Sequence, residues 1–235
     1  MTHYTTYNMK YRLICFDFDG TLVQTTSAIL ASVKLAYQHL NQTAPSSMDI
    51  EEAIKKGKPT KIMLQLLSPW ADENLIHELF KACTQSYLKQ SAQQTILFPH
   101  AREILIQLKE MGIAISIISN KSPTEIKAAL SHFKLAKYID LVIGAEPEGL
   151  CKPDPAIYEK LLQPSFPTIQ RENILMVGDT LTDIQFAKAI EIDMCWVKYG
   201  EGNATDCHAC NPRYSIESLK ELTSIILNEA TSNAF

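Results

Sequence analysis

Hydrophobic and polar positions change their period along this chain. From Tyr11 to Phe16, "YRLICF" is a short apolar run that reads as a buried strand. From residue 27 to 92 the spacing turns helical, with no convincing strand. "SAILASVKLAYQHL" sets Ile29, Val33, Tyr37 and Leu40 on one face, and "ENLIHELFKACTQSYLKQ" does the same with Ile76, Leu79, Phe80, Cys83 and Tyr87. Between them, "DIEEAIKKGKPTKIMLQLL" predicts two shorter helices, the first opened by Asp49 with Glu52 three residues on. The break falls at Lys58-Pro59, after Gly57.

From Phe98 onward, helical stretches ("HAREILIQLKEM", "PTEIKAALSHF", "PAIYEKLL", "DIQFAKAI" and a last one near "IESLKELTSIIL") alternate with short apolar runs ("IAISIIS", "IDLVIG", "NILMVG" and "MCWVKY"). That alternation predicts a parallel sheet covered on both faces, since strands so rich in apolar and β-branched residues suit burial on both sides. The expected fold class is α/β: a three-layer α/β/α, Rossmann-like core of residues 1–23 and 97–235, with an inserted all-α cap of residues 24–96. In such sheets ligands gather at the carboxyl ends of the strands.

Four predicted strand ends carry polar signatures. In "FDFDGTL", residues 16–22, Asp19-Gly20 suits a turn, but Asp17 lies inside the apolar run between Phe16 and Phe18. A carboxylate there is costly to desolvate unless a cation, hydrogen-bond donors or a metal ion meets it. Ser119-Asn120 follows "IAISII", Lys152 follows "DLVIGAEPEGLC", and "GDTLTD" (178–183) follows "ILMV". Taken singly, these are turn and helix-cap residues, Asp179 and Asp183 among them. In a parallel sheet they converge on one edge, where the acids need the cation that a metal or Lys152 provides.

Composition adds boundaries. With 235 residues, 46% hydrophobic and 20% charged, the chain has the make-up of a soluble globular protein of one large or two smaller domains. A net charge of -4 gives no electrostatic reason to expect nucleic acid or an anionic membrane as partner, so any phosphate chemistry needs local positive charge. No apolar run approaches a membrane span, and "MTHYTTYNMK" lacks the basic and apolar regions of a secretion signal, so the expected location is cytoplasmic. Six cysteines are present, and structural disulfides are not expected in that compartment. "CHAC", Cys207 to Cys210, has metal-like spacing but no second pair, and is expected to be a surface loop. Cys151, beside Lys152, defaults to an unreactive thiol.

"FDFDGTL", "ISN" (118–120), Lys152 in "CKPDP" and "GDTLTD" stand in the order and strand context of the four motifs of the haloacid dehalogenase-like superfamily. The chain resembles that superfamily over nearly its whole length, and most closely its phosphoglycolate phosphatase-like group with a helical cap. The resemblance implies that Asp17 takes the phosphoryl group as an aspartyl phosphate, and that Asp19 protonates the leaving oxygen and then activates water. It implies Mg2+ held by the Asp17 carboxylate, the Asp19 main-chain carbonyl and Asp179, with Asp183 supporting directly or through water. Ser119 and the Asn120 backbone would bind phosphoryl oxygens, Lys152 would offset their charge, and Thr21 would hold the loop. Lys56, Gly57 and Lys58 lie where similar proteins place a substrate-facing cap loop; exposed lysines of a solvated turn explain them equally well.

The activity so implied is hydrolysis of a small phosphorylated metabolite, phosphoglycolate first, by a monomer or homodimer. A phosphomutase of the β-phosphoglucomutase kind, a pyrophosphatase or a nucleotidase would use the same motifs. A binding module would not require both Asp17 and Asp19. Two departures stand out: His100 and Glu191 occupy positions where relatives often have Gly, which puts the local turn geometry in question.

Overall fold

The computed structural model describes residues 9–146 and 149–231. The chain begins with β1 (Leu13–Phe16) and β2 (Val23–Gln24), followed by helices α1 (Thr26–His39), α2 (Ser47–Ile54), α3 (Thr60–Leu67) and α4 (Glu73–Gln94). Next come β3 (Ile96–Leu97), α5 (Ala101–Glu110), β4 (Ala114–Ser119), α6 (Pro123–His132) and β5 (Leu141–Gly144). A π-helical turn, Tyr158–Leu162, runs into the short α7 (Gln163–Ser165). The last elements are β6 (Ile174–Gly178), α8 (Leu181–Ala189), β7 (Asp193–Val197), α9 (Ala204–Ala209), β8 (Tyr214–Ile216) and α10 (Glu221–Thr231).

The period of two along β1 explains the layers. Ile14 and Phe16 point into one apolar cluster with Ile104 and Leu108 of α5, Ile126 of α6 and Leu222 of α10. Leu13 and Cys15 point the other way, into a second cluster with Tyr158, Ile184 and Phe186 of α8, and Trp196. Both faces of the strand are therefore dry, and such a strand belongs at the centre of a parallel sheet. The observed order is β5-β4-β1-β6-β7-β8, parallel throughout, with β1 paired to β4 on one side and β6 on the other. The α/β/α expectation holds.

The four helices from Thr26 to Gln94 have their own core, in which Val33, Tyr37, Ile50, Leu64, Ile76 and Leu79 meet. The Tyr37 hydroxyl is satisfied there by Ser68 Oγ at 2.5 Å. The chain enters and leaves this helical segment through one small antiparallel pair, in which Val23 faces Leu97 and Gln24 faces Ile96.

Several local expectations change. The first short helix is capped three residues earlier than expected: Ser46 Oγ accepts from Asp49 N (3.1 Å) and donates to Asp49 Oδ2 (2.7 Å), so Asp49 sits in the first turn. "CHAC" is not a loop but the end of α9, which Asn203 caps at its start and which Cys210 follows as C-cap, with Cys207 buried and its Sγ directed at Asp179 O. β2, β3 and β8 were not expected, because two or three residues are too short to show alternation.

His100 and Glu191 keep the left-handed backbone that glycine would favour, with φ of 67° and 56°. A side chain there crowds the backbone by roughly 1–2 kcal/mol, partly offset by the freedom glycine loses on folding. His100→Gly and Glu191→Gly are each expected to stabilise the protein, by about 0.5–1 kcal/mol, read as a higher urea midpoint at unchanged slope. The Glu191 ion pair with Arg171, 3.4 Å long and exposed, contributes too little to reverse that sign.

Candidate active site

Each polar signature sits at the carboxyl end of its strand. Asp17 follows β1, Ser119 closes β4, Asp179 follows β6, and Lys152 arrives on the loop after β5. The sheet brings them together as expected. The Lys152 ammonium, 2% exposed, lies 2.9 Å from Asp17 Oδ1 and 2.5 Å from Asp183 Oδ1. The other Asp183 oxygen accepts from Thr180 N (2.9 Å) and Thr180 Oγ1 (2.7 Å), closing a capping box at the start of α8. With both oxygens engaged, Asp183 chiefly holds Lys152.

Asp179 is fixed from two sides. Thr21 Oγ1 donates to its Oδ1 (3.1 Å), and Glu201 N donates to its Oδ2 (2.7 Å). Gly20, at φ 75°, lets the first loop come this close: a Cβ there would lie 2.2 Å from Asp179 Oδ2. Asp17 is 6% exposed and is pushed up to about 6, by burial first and by the Asp183 charge second, against the opposing pull of Lys152. Asp179 is raised well above the ordinary carboxylate range, by burial and by the charges of Asp17 and Asp183. Lys152 is raised too: burial works against its charge, but the carboxylates of Asp17 and Asp183 prevail.

Three carboxylates thus face one ammonium, and the imbalance calls for a further cation. One oxygen each from Asp17, Asp179 and Asp183 lie within 4.8 Å of one another, the only such group among the described residues. Asp17 Oδ1 and Asp19 Oδ1 are buried without a hydrogen bond; the Lys152 contact to Asp17 is an ion pair without the direction of a hydrogen bond. A hard divalent ion fits this oxygen-rich donor set. Asp17 and Asp179 line the cavity and would hold the ion there, with Asp183 behind them.

Asn120 does more than its backbone was expected to do. Its Nδ2 donates to Gly57 O (2.7 Å) and Lys152 O (3.1 Å), while its Oδ1 accepts from Lys152 N (2.7 Å). One side chain therefore ties the helical segment to the sheet edge. Thr182 Oγ1 adds a bond to Lys56 O at 3.1 Å. Gly57, at φ 60°, packs where a Cβ would meet Thr180 Oγ1 at 2.7 Å. Of the predicted cap-loop residues, Gly57 and Lys58 line the cavity above the aspartates, whereas the Lys56 side chain lines a separate groove near Trp70.

That cavity is small, about 80 Å³, and its far wall is mainly apolar: Ile29, Ile54, Met63, Cys83 and Tyr87. Lys121 and Glu125, both buried, line it as well and were not foreseen. Lys121 Nζ lies 3.1 Å from Asp19 Oδ2. The sequence signal was its place directly after "ISN", but a loop lysine is ordinarily solvated.

The family model for haloacid dehalogenase-like hydrolases matches residues 14–197. A phosphoglycolate phosphatase of Vibrio parahaemolyticus is 26% identical over 220 residues, covering 92% of this chain and 96% of that protein. One from Pseudomonas savastanoi pv. phaseolicola is 26% identical over 215 residues, 90% of this chain and 78% of that protein. Among solved structures, a Bacteroides fragilis protein described as a haloacid dehalogenase-like hydrolase superposes with a TM-score of 0.80 at 27% identity, covering 91% of this chain and all of that one. A Haemophilus somnus protein described as a phosphoglycolate phosphatase gives a TM-score of 0.83 over 92% of this chain and 98% of its own, at 21% identity, a likeness of fold. Among the described residues no helix is long and apolar enough to cross a membrane.

Proposed function

We propose that this chain, which belongs to the haloacid dehalogenase-like hydrolase family, is a Mg2+-dependent phosphatase of a small phosphomonoester. The observation that carries this reading is the separate treatment of two carboxylates two positions apart. Asp17 is nearly enclosed and paired with Lys152, while Asp19 is more open and paired with Lys121. Two acids in different surroundings can take different roles.

Asp17 attacks phosphorus through a carboxylate oxygen. The P–O bond to the leaving group breaks with its electron pair on that oxygen, which takes a proton from Asp19 and departs as an alcohol. Asp19 then removes a proton from water, which attacks the aspartyl phosphate; phosphate leaves and the Asp17 carboxylate is restored. Ser119, Asn120 and Lys152 hold the phosphoryl oxygens and balance their charge, so the chain contributes mainly position and electrostatics. Mg2+, when bound, supplies Lewis-acid polarisation of the phosphoryl oxygen and lets the phosphate approach the aspartates.

In this reading residues 24–96 act as a cap whose apolar wall excludes water and limits the size of the leaving group. Phosphoglycolate is the first substrate to test. The curated relatives above carry its name, and Lys58 on the cap wall offers its carboxylate a cation. Phosphate release should be measured from phosphoglycolate, sugar phosphates, nucleotides and pyrophosphate, with Mg2+ or with chelator. Release that requires Mg2+ and ranks phosphoglycolate first is expected. Well-folded protein that releases phosphate from none of them overturns the reading.

A further inference from the structure

Lys121 is an unexpected cation in an expensive place. It stands two residues beyond β4, its side chain is 5% exposed, and desolvating an ammonium is unfavourable unless specific partners meet it. Three do. Asp19 Oδ2 lies 3.1 Å away, the Tyr87 ring of α4 lies beneath at 3.8 Å to its centroid, and the buried Glu125 of α6 acts on it as a second negative charge. If Lys121 merely filled space, an apolar side chain would do so without these costs.

The two oxygens of Asp19 are left unequal by this arrangement. Oδ2 is held by the ammonium, whereas Oδ1 is buried without a protein hydrogen bond on a residue that lines the cavity. We infer that Lys121 is a positioning residue: by holding Oδ2 it fixes the carboxyl plane of Asp19 and presents Oδ1 to the leaving oxygen, and Tyr87 makes that alignment depend on helix α4. This rests on the reading of Asp19 as the acid that protonates the leaving group. The segment that shapes the cavity then also aims the acid.

The test exploits leaving groups. Departure of an alkoxide needs a proton, while departure of nitrophenolate does not, so a misaimed acid slows only the first. Wild type, Lys121→Met/Glu125→Gln and Tyr87→Leu would be compared as full-length proteins with Mg2+. The substrates would be p-nitrophenyl phosphate and whichever alkyl phosphate ranks first for wild type. The paired substitution avoids leaving Glu125 buried without its countercharge, and Tyr87→Leu tests the aim with both charges kept.

Expected is a kcat loss of roughly ten- to a hundredfold on the alkyl ester and under about threefold on the aryl ester, for both variants, with little change in KM. Equal losses on the two esters overturn the inference and leave Lys121 a structural or phosphate-binding role. Undiminished turnover of the alkyl ester overturns it as well. Wild-type protein inert on both esters overturns the phosphatase reading and this inference with it.

Discussion

Asp17→Asn protein is expected to fold and to lose about four orders of magnitude or more in phosphate release, because no other described group stands where Asp17 meets both Lys152 and the cavity. The substitution is nearly isosteric, and it separates catalysis from stability by sign. In the metal-free protein burial raises Asp17 to about 6, from an ordinary value near 3.8. A carboxyl raised in the folded state contributes stability below its unfolded value and loses that contribution as pH rises through its folded value. At pH 7 the ionised Asp17 therefore opposes folding of the metal-free chain, and Asn removes that opposition. Metal-free Asp17→Asn should unfold at a temperature equal to or above wild type at pH 7, and the difference should vanish near pH 4. Retention of more than about a hundredth of the wild-type rate would show that another group takes the phosphoryl group.

Lys152→Met should have the opposite profile, losing both activity and stability. Lys152 is the ammonium paired with both Asp17 and Asp183, and Asp183 is wholly buried. Removing one member of a buried ion pair strands its partner at a cost of about 3–5 kcal/mol. For a chain of this size that corresponds to a fall in Tm of roughly 10 °C. Lys152→Met/Asp183→Asn should recover part of the stability, since neutral Asn can still accept from Thr180 while Asp17 stays without its ammonium, but none of the activity, since the phosphoryl group still lacks its cation. Calorimetry of the two proteins without metal reads the difference. A single variant as stable as wild type would mean that Lys152 does not hold the cluster together.

The residues legible in the sequence are those whose chemistry clashes with their surroundings. Asp17 between two phenylalanines, and acids directly after the apolar run of β6, announce themselves because burial of unpaired charge is disfavoured. The alternation of helix and strand likewise identified the layers, since period and burial have the same cause. Lys121 stayed hidden because nothing in "NKSP" distinguishes a buried lysine from a solvated one; its burial is imposed by α4, which is distant in sequence. Tyr87 was assigned to an apolar helix face, correctly, but the cation above its ring comes from the other side of the cavity. Asn120 was expected to act through its backbone, and its side chain reaches Gly57 only because the helical segment folds down over the strand ends. The absence of glycine at His100 and Glu191 argues against left-handed turns, yet both residues adopt them with exposed side chains, the second closed by local backbone bonds from Glu191 N to Lys188 O and from Ile192 N to Ala187 O.

The antiparallel pair of Val23–Gln24 with Ile96–Leu97 has a consequence for how such a protein changes in evolution. Departure and return of the helical segment are hydrogen-bonded neighbours, so the segment is a cassette with a single point of insertion. Its tie to Asn120 is received by a main-chain carbonyl, which any replacement sequence also offers. A graft spliced at Gln24 and Ile96 would exchange the walls around the leaving group while the bonds that fix Asp17, Asp179 and Lys152 to the strand ends stay as they are. It would also exchange Tyr87, and with it the hand that aims the acid, so new specificity and new acid alignment would be inherited together.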